Sequence, residues 1–344
     1  MRTIYIAGNF LSSRVGVRGA GEDLAEKLRA NGWKVITASS HPGRLKRVLD
    51  LLWTAWSRRK SYQIAAVEVY SDHAFRWAEL LCFVLRALKK PYVLTLHGGK
   101  LPEFAQMNPS RFRNLLFSAN AITTPSKYLL QQFATNHKNI LYLPNGLDLN
   151  NYPYPHRTIA HPKLIWLRAF HQIYNPKLAI EMLKKLVIEY PDAHLTMIGP
   201  DKGDGSLPEV RQLIEKCDFN NRVSITGSIP KSQVGQYLSE SEIFLNTTNY
   251  ESFGVSVMEA AACGLCIVTT NAGELPLLWE NGVDAIIVPM NDSKAMADAV
   301  IRILTEPGLA QKLSTNARRK AENFDWSVIL PQWEALFDRV LNHG

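Results

Sequence analysis

The sequence predicts an α/β protein with two doubly wound, Rossmann-like parallel sheets, and three observations carry this prediction. Short β-branched or apolar runs alternate with longer helical patterns along the 344 residues, an order typical of parallel sheets with helices on both faces. The alternation forms two successive series of six strands. Between the series, residues 150–156 contain two prolines and two asparagines, which suit neither a helix nor a central strand.

Each element follows from its own pattern. In the first series the predicted strands are 3–8, 34–38, 64–69, 92–97, 120–124 and 139–143. The predicted helices between them are 20–31, 44–59, 73–89, 109–117 and 126–134. In the second series the predicted strands are 163–167, 194–198, 222–226, 242–246, 265–269 and 285–288. The predicted helices there are 176–190, 207–217, 231–239, 253–263, 273–280 and 293–305.

These elements predict a first domain at 1–150 and a second at 151–325. Residues 326–344 form a C-terminal amphipathic helix that we expect to pack back on the first domain. Polar groups and ligands collect at the carboxyl ends of parallel strands, so we expect the ligand in the cleft that the two domains face.

Charge is unevenly distributed. Residues 1–150 carry 21 Lys and Arg against 9 Asp and Glu, a net charge of +12, whereas residues 151–344 carry 18 against 22, a net charge of −4. A basic first half suits an anionic surface such as membrane lipid or a phosphorylated acceptor, and solubilising charge is the alternative. Four scattered cysteines do not suggest a disulfide scaffold. No apolar run reaches the roughly 20 residues of a membrane span, so the expected location is the cytoplasm.

Two carboxylates eight positions apart, Glu251 and Glu259, lie around the start of the predicted helix 253–263. We expect about two turns, roughly 11 Å, between them, enough to hold two ends of an extended ligand. The amides of Phe253, Gly254 and Val255 are predicted to be unpaired at the helix start. Unpaired amides and the helix dipole bind anions, so the pattern indicates a phosphorylated, hydroxyl-rich ligand such as a nucleotide sugar.

Other candidate residues follow predicted strands. Arg168 comes directly after the predicted strand 163–167. His97 stands at the end of the strand 92–97, followed by Gly98 and Gly99. Glycines allow a backbone to approach a ligand closely, so this strand end is a second candidate.

The basic segment 44–60 contains two tryptophans. The predicted sheet-packing face of this helix consists of Leu45, Val48, Leu49, Leu52 and Trp56. The alternative is that the helix lies on an anionic membrane.

These motifs resemble the family-4 retaining glycosyltransferases of the GT-B fold. The most specific segment reads Asn-Tyr-Glu-Ser-Phe-Gly at 249–254, followed by Glu259, Gly264 and Asn-Ala-Gly-Glu at 271–274. Leu-Pro-Asn-Gly-Leu-Asp at 143–148 is similar to the family's domain-joining signature.

The resemblance implies roles for the candidates. Glu259 would bind the donor ribose, Glu251 the hydroxyls of the transferred sugar, and the amides after Glu251 the distal phosphate. Arg168 and a later lysine would hold the diphosphate, and His97 would lie near the donor sugar. The sequence departs from the family at the lysine, and Lys177, His171 or Asn175 are candidates for its role.

The first loop, residues 9–21, is similar to the family's mobile glycine loop, which closes over donor and acceptor. Gly16 is therefore a donor-binding candidate. Arg14 and Arg18, with Gly98 and Gly99, are acceptor-side candidates.

The expected reaction moves a hexosyl group from a nucleotide sugar to an acceptor hydroxyl with retention of configuration. In front-side attack the leaving diphosphate helps to deprotonate the acceptor, while the protein supplies positioning and electrostatics. We expect no cofactor and no metal, since the sequence has no Asp-x-Asp, which agrees with the resemblance.

The expected acceptor is a glycan or a lipid-linked glycan of a cell-envelope polysaccharide or glycolipid, with the protein peripheral on the inner face of a membrane. We expect no nucleic-acid partner. The alternatives are a nucleotide-sugar epimerase of the same fold and a non-catalytic membrane-surface binding protein.

Overall fold

The computed structural model describes residues 2–8, 10, 19–41, 43–133 and 139–343. The chain divides into two compact units, Met1–Gly146 with Phe324–Gly344, and Leu147–Asn323. The described part of each unit contains a six-stranded parallel sheet.

The first unit alternates strands and helices. Its strands are β1 (Thr3–Ala7), β2 (Lys34–Ala38), β3 (Ile64–Val69), β4 (Tyr92–Leu96), β5 (Ala121–Thr124) and β6 (Ile140–Tyr142). The helices between them are α1 (Ala20–Ala30), α2 (Arg44–Ser57), α3 (Asp72–Ala87), α4 (Leu101–Met107), α5 (Pro109–Phe117) and α6 (Lys127–Phe133). The sheet order is β2-β1-β3-β4-β5-β6, so the winding direction reverses between β1 and β3.

The second unit repeats this plan. Its strands are β7 (Lys163–Leu167), β8 (His194–Ile198), β9 (Val223–Gly227), β10 (Ile243–Asn246), β11 (Cys266–Thr270) and β12 (Ile286–Val288). Its helices are α7 (Pro176–Leu186), α8 (Ser206–Lys216), α9 (Lys231–Ser239), α10 (Val255–Ala262), α11 (Leu275–Leu278), α12 (Ser293–Thr305) and α13 (Leu309–Glu322). The order is β12-β11-β10-β7-β8-β9, and the winding direction reverses between β10 and β7.

The last helix, α14 (Trp326–His343), belongs to the first unit. Trp333 and Phe337 of α14 join Leu28 and Trp33 in one buried cluster on that sheet. The indole of Trp33 donates a hydrogen bond to Glu334 at 2.8 Å. The helix is therefore held by apolar burial together with a specific polar contact.

The central strands are apolar on both faces because helices cover both sides of each sheet. All five residues of β1, of β4 and of β11 are buried. The predicted strands and helices lie within a few residues of those observed, and the fold class is confirmed.

Two helices were not predicted. Helix α4 has only seven residues, and burial of Leu101 and Phe104 accounts for it rather than periodicity. Helix α13 buries Leu309, Leu313 and Ala317 on one side, a spacing that the sequence does contain.

The predicted sheet-packing face of α2 is confirmed at Leu52, which packs against the core of the first unit, and is wrong at three other positions. The buried positions are Leu51 and Ala55, whereas Leu45, Leu49 and Trp56 are exposed. The hydroxyl of Tyr5 in β1 donates to the Leu51 carbonyl at 3.0 Å, and the hydroxyl of Tyr62 donates to the Ala55 carbonyl at 2.9 Å. These two bonds come from the sheet side, so they orient the helix in a way that its own apolar pattern does not reveal.

Candidate active site

Arg168 and Glu251 meet at the topological switch point of the second sheet. Strands β7 and β10 are neighbours, with Ile243 paired to Leu164. Arg168 directly follows β7, and Glu251 lies in the loop after β10. Connections leave these two strands toward opposite sides of the sheet, which opens a crevice at their carboxyl ends.

The Arg168 guanidinium forms an ion pair with the Glu251 carboxylate. Their side chains are only 16% and 8% exposed, and the guanidinium also lies over the Tyr174 ring, 5.0 Å from its centroid. Burial lowers the pKa of Arg168. The group stays charged near neutral pH because a guanidinium starts from a pKa of about 12.5. The site therefore holds a desolvated positive charge.

Hydrogen bonds join the loop after β7 to the loop after β10. The Asn249 amide donates to the Ile173 carbonyl at 2.8 Å, and the Thr247 hydroxyl donates to the Tyr174 carbonyl at 2.6 Å. At the end of β8, a Cβ on Gly199 would collide with the carbonyl of Arg168. Only glycine allows this approach, which leaves the backbone of Arg168 closely surrounded.

The Glu251 loop is held by its own amides. One carboxylate oxygen of Glu251 accepts from the amides of Ser252 at 3.1 Å and Phe253 at 3.3 Å. The prediction that the Phe253 amide is unpaired is therefore wrong, because the preceding carboxylate occupies it. A Cβ on Gly273, which has φ 53°, would collide with the Glu251 carbonyl, and the Glu274 amide donates to that carbonyl at 3.0 Å.

Helix α10 begins at Val255, after Gly254 with φ 88°. Its first intrahelical hydrogen bond joins the Met258 amide to the Gly254 carbonyl at 3.0 Å, so the preceding amides of the first turn have no acceptor one turn back. The hydroxyl of Ser256, a residue only 6% exposed, has no hydrogen-bond partner in the described part of the chain. Together these groups are of the kind that bind an anion at a helix start.

Glu259 lies one turn into α10 and is 3% exposed. The predicted spacing of two turns is wrong, because residues 251–254 form a loop; the helix rises only about 6 Å from Val255 to Glu259. The Tyr152 hydroxyl donates to Glu259 at 2.9 Å, and Lys231 forms an ion pair with the same carboxylate oxygen. Each of the two carboxylates thus has a cation partner.

Lys231 and Tyr152 were not predicted. Lys231 is the first residue of α9, a position where the helix dipole disfavours a positive charge. The available signal was its place shortly after a strand, β9, the same signal that identified Arg168. Tyr152 lies in the segment that was treated only as a linker, so no motif pointed to it.

The other diphosphate candidates are engaged elsewhere. The Lys177 ammonium lies 2.8 Å from Glu209. His171 lies 3.8 Å from Asp204, and the Asn175 side chain donates to Asn291 at 2.9 Å. Among the described residues, no hydrogen bond or ion pair joins these three side chains to Arg168 or Glu251.

Arg157 links α9, which carries Lys231, to α10, which carries Glu259, through hydrogen bonds. It is 4% exposed and donates to the carbonyls of Cys263 at 2.6 Å and Ser241 at 2.6 Å. It also donates to the carbonyls of Pro155 and Ser239 and to the Glu242 carboxylate. One guanidinium thereby satisfies backbone groups that follow both α9 and α10.

In the first unit, His97 lies at the carboxyl end of β4 and is buried. Its ring stacks on Tyr70 with centroids 5.1 Å apart, and its Nε2 atom lies 3.9 Å from the Glu68 carboxylate. Gly98 follows with φ 81°, and a Cβ there would lie 3.6 Å from the Tyr70 ring. Gly99 occupies the turn that leads to α4.

Glu68 was missed, although it is the only charged residue in β3. Its carboxylate accepts from the Gly21 amide at 3.0 Å. A Cβ on Gly8 or on Gly21 would collide with that carboxylate, so both ends of the first loop approach one acidic group. The candidates Gly16, Arg14 and Arg18 lie outside the described residues.

His97 should make stability fall as the pH falls. Burial lowers the pKa of His97 to about 4, against about 6.5 in an unfolded chain, despite the nearby Glu68 and Tyr70. Between these values the unfolded chain binds a proton that the folded protein does not, so unfolding becomes easier as the pH falls through that window. We expect His97 to contribute a loss of about 2 kcal/mol between about pH 7 and pH 5.

Urea denaturation of wild type and His97→Asn at the two pH values measures this effect. His97→Asn should remove most of the difference, while the control His194→Asn, at the surface of β8, should keep it. Equal pH dependence in wild type and His97→Asn would contradict the assignment.

Two doubly wound parallel sheets, one in each unit, are the architecture of the GT-B class of Rossmann-like proteins. A family model described as glycosyl transferases group 1 matches residues 161–320. The structure of Anabaena HepE in complex with UDP and glucose aligns with a TM-score of 0.78 at 17% identity, covering 98% of this chain and 100% of that one. At that identity the likeness shows the fold alone.

Two sequence relatives are more specific. The chain is 28% identical over 182 residues to N-acetyl-alpha-D-glucosaminyl L-malate synthase of Bacillus anthracis, covering 52% of this chain and 45% of that one. It is 33% identical over 260 residues to 2-deoxystreptamine N-acetyl-D-glucosaminyltransferase of Niallia circulans, covering 69% and 66%. The matches thus span about half and about two thirds of these relatives. The chain belongs to the group 1 glycosyltransferases, family 4 of the GT-B fold.

Proposed function

We propose that this chain transfers a hexosyl group from a UDP-sugar to an acceptor hydroxyl, with retention at the anomeric carbon and without a metal ion. The observation that carries the proposal is the pair of buried carboxylates, Glu251 and Glu259, each held by a cation around the start of α10. Both the ions and the helix end lie on the carboxyl side of the second sheet, where this fold binds ligands.

The cations suit a diphosphate. Arg168 would share its guanidinium between Glu251 and the leaving phosphate, and the amides at the start of α10 would bind the distal phosphate. The low solvent exposure of Arg168 strengthens its interaction with developing negative charge. This arrangement supports leaving-group stabilisation by protein groups alone, the role that a metal ion fills in other transferases.

The carboxylates suit the sugars. Glu259 accepts from Tyr152 and faces Lys231, so it can accept from the two hydroxyls of a ribose once these partners move aside. Glu251, near the cationic Arg168, would accept from hydroxyls of the transferred sugar. In this scheme neither residue forms a covalent bond, and the acceptor hydroxyl attacks from the side of the departing diphosphate.

The names of relatives support the donor class. Two relatives are named for transfer of N-acetylglucosamine, and a structure of the same fold contains UDP and glucose. We therefore take UDP as the nucleotide and a glucose-type hexose as the sugar. For the acceptor we propose a glycan or lipid-linked glycan, which the basic first half of the chain favours.

A thermal-shift panel of UDP, GDP and ADP, with UDP-glucose and UDP-N-acetylglucosamine, tests the proposal. A ligand that binds only the folded state stabilises it by about 2.7 kcal/mol at a hundredfold excess over Kd, and so raises the melting temperature. UDP should raise the melting temperature of the protein, and GDP and ADP should not. Absence of any nucleotide shift would exclude the proposed function.

Two lysine variants identify the cation near the donor. Lys231→Met should reduce the UDP-induced rise in melting temperature, whereas the matched variant Lys177→Met, which loses only exposed pairs with Glu181 and Glu209, should retain it. The reverse outcome would return the diphosphate role to Lys177. Donor epimerised without any acceptor would favour the epimerase alternative, and the anomeric proton coupling of the product would report retention.

A further inference from the structure

Helices α2 and α3 leave a large apolar surface uncovered. Both pack on one side of the first sheet, since Leu51 and Ala55 of α2 share a core cluster with Phe75 and Leu81 of α3. Their other sides expose large apolar side chains, a surface we call the outer face. Its members are Leu45 (81% exposed), Leu49 (65%), Trp53 (63%), Trp56 (48%), Leu80 (50%) and Phe83 (64%).

The spacing of these residues places them in a continuous apolar stripe along each helix. The four α2 positions follow one another at intervals of four, four and three residues, and Leu80 and Phe83 of α3 are three apart, so each set lies along one side of its helix. Helix α2 therefore has two apolar sides, one for the sheet and one facing solvent. Single exposed apolar residues are normal, but an extended patch marks an interaction site.

The segment that carries most of the outer face is rich in positive charge. The segment 44–60 contains six Lys and Arg and one acid, Asp50. Asp50 is near the buried Tyr5, whose pKa it helps to raise, and so lies toward the sheet. The Arg59 guanidinium lies over the Trp56 ring, 4.7 Å from its centroid. Helix α2 thus offers aromatic and aliphatic groups together with basic ones, and its one acid lies toward the sheet.

We propose that the outer face docks on an anionic lipid bilayer, with α2 lying along the headgroup layer. Tryptophan favours that layer, because its ring is apolar and its N–H is polar. Each nearby Lys or Arg is attracted by anionic lipid. A second copy of the chain fits less well, since a twofold contact would bring six basic residues of each copy against the other's. Among the described residues, no helix combines the length and apolar composition needed to cross a bilayer.

Docking here does not rest on the proposed function, so the two can fail separately. The measurement is co-sedimentation of the full chain with vesicles of phosphatidylcholine alone, or of phosphatidylcholine and phosphatidylglycerol in equal amounts. The wild type should bind the anionic vesicles and release as salt is raised. The double variant Trp53→Ser with Trp56→Ser should reduce the partition coefficient by about tenfold or more.

Matched variants separate docking from misfolding. Ile188→Ser removes an 80% exposed apolar side chain in the second unit and should bind vesicles like wild type. Arg58→Gln with Lys60→Gln should weaken binding to anionic vesicles and flatten its salt dependence. All variants should keep the wild-type melting temperature and UDP shift, because every changed side chain is exposed.

Three results would overturn the proposal. The first is that the wild type fails to bind anionic vesicles. The second is that the tryptophan variant binds them as well as the wild type does. Alternatively, sedimentation velocity would show a wild-type dimer that the tryptophan variant converts to monomer, which would make the outer face a contact between copies.

Discussion

Replacing Glu251 with glutamine should lower kcat for sugar transfer by about 100- to 1,000-fold, the range seen when one preorganised polar group is removed from a transition-state site. Glutamine keeps the shape but removes the negative charge that pairs with Arg168 and the oxygen that would accept from sugar hydroxyls. The amide group can also donate toward Arg168 instead of accepting from it. Binding of free UDP should change much less, because UDP lacks the transferred sugar.

Stability must be measured beside activity in this variant. Removing one partner of a buried ion pair costs about 3–5 kcal/mol in general, although the isosteric amide and the residual solvent exposure of Arg168 reduce that cost here. Assays below the variant's melting range therefore separate catalysis from folding.

Glu209→Gln is the matched control, since it breaks the exposed pair with Lys177 at a cost of less than about 1 kcal/mol. Equal transfer rates for Glu251→Gln and Glu209→Gln would remove Glu251 from the active site.

Replacing Arg157 with methionine should destabilise the second unit by about 3–5 kcal/mol. Methionine fills much of the volume of the arginine stem, but it supplies no donor to the carbonyls of Pro155, Ser239, Ser241 and Cys263. These groups and the Glu242 carboxylate would be left with poorer partners. Urea unfolding followed by far-ultraviolet circular dichroism measures the loss.

Arg302→Met serves as the comparison, because Arg302 pairs only with Glu306 on the exposed side of α12. That variant should lose less than about 1 kcal/mol. A shrunken UDP shift in Arg157→Met, measured well below its melting point, is also expected, since Lys231 and Glu259 stand on the helices that Arg157 joins. If Arg157→Met and Arg302→Met unfold at the same urea concentration, the buried network contributes nothing to stability.

Parts of the candidate site could be read from sequence because they share one rule. Arg168, His97 and the Glu251 loop each follow a strand, and parallel strands present their carboxyl ends at one edge. Lys231 follows β9 in the same way, and Glu68 is the second-last residue of β3. Both were passed over, since a single lysine or glutamate near a strand end is common. Their importance depends on the buried groups that they contact, Glu259 in one case and Gly8, Gly21 and His97 in the other.

The sequence by itself determined the two six-stranded series and the place of the acidic motif, because strand and helix periods and glycine stops are local properties. Only the tertiary structure decided which side of α2 is buried, because the hydroxyls of Tyr5 and Tyr62 approach from the sheet. It also decided that Lys231 rather than Lys177 lies against a buried carboxylate. Pairing between residues far apart in the chain depends on how strands stack in the sheet, and no local period encodes that order.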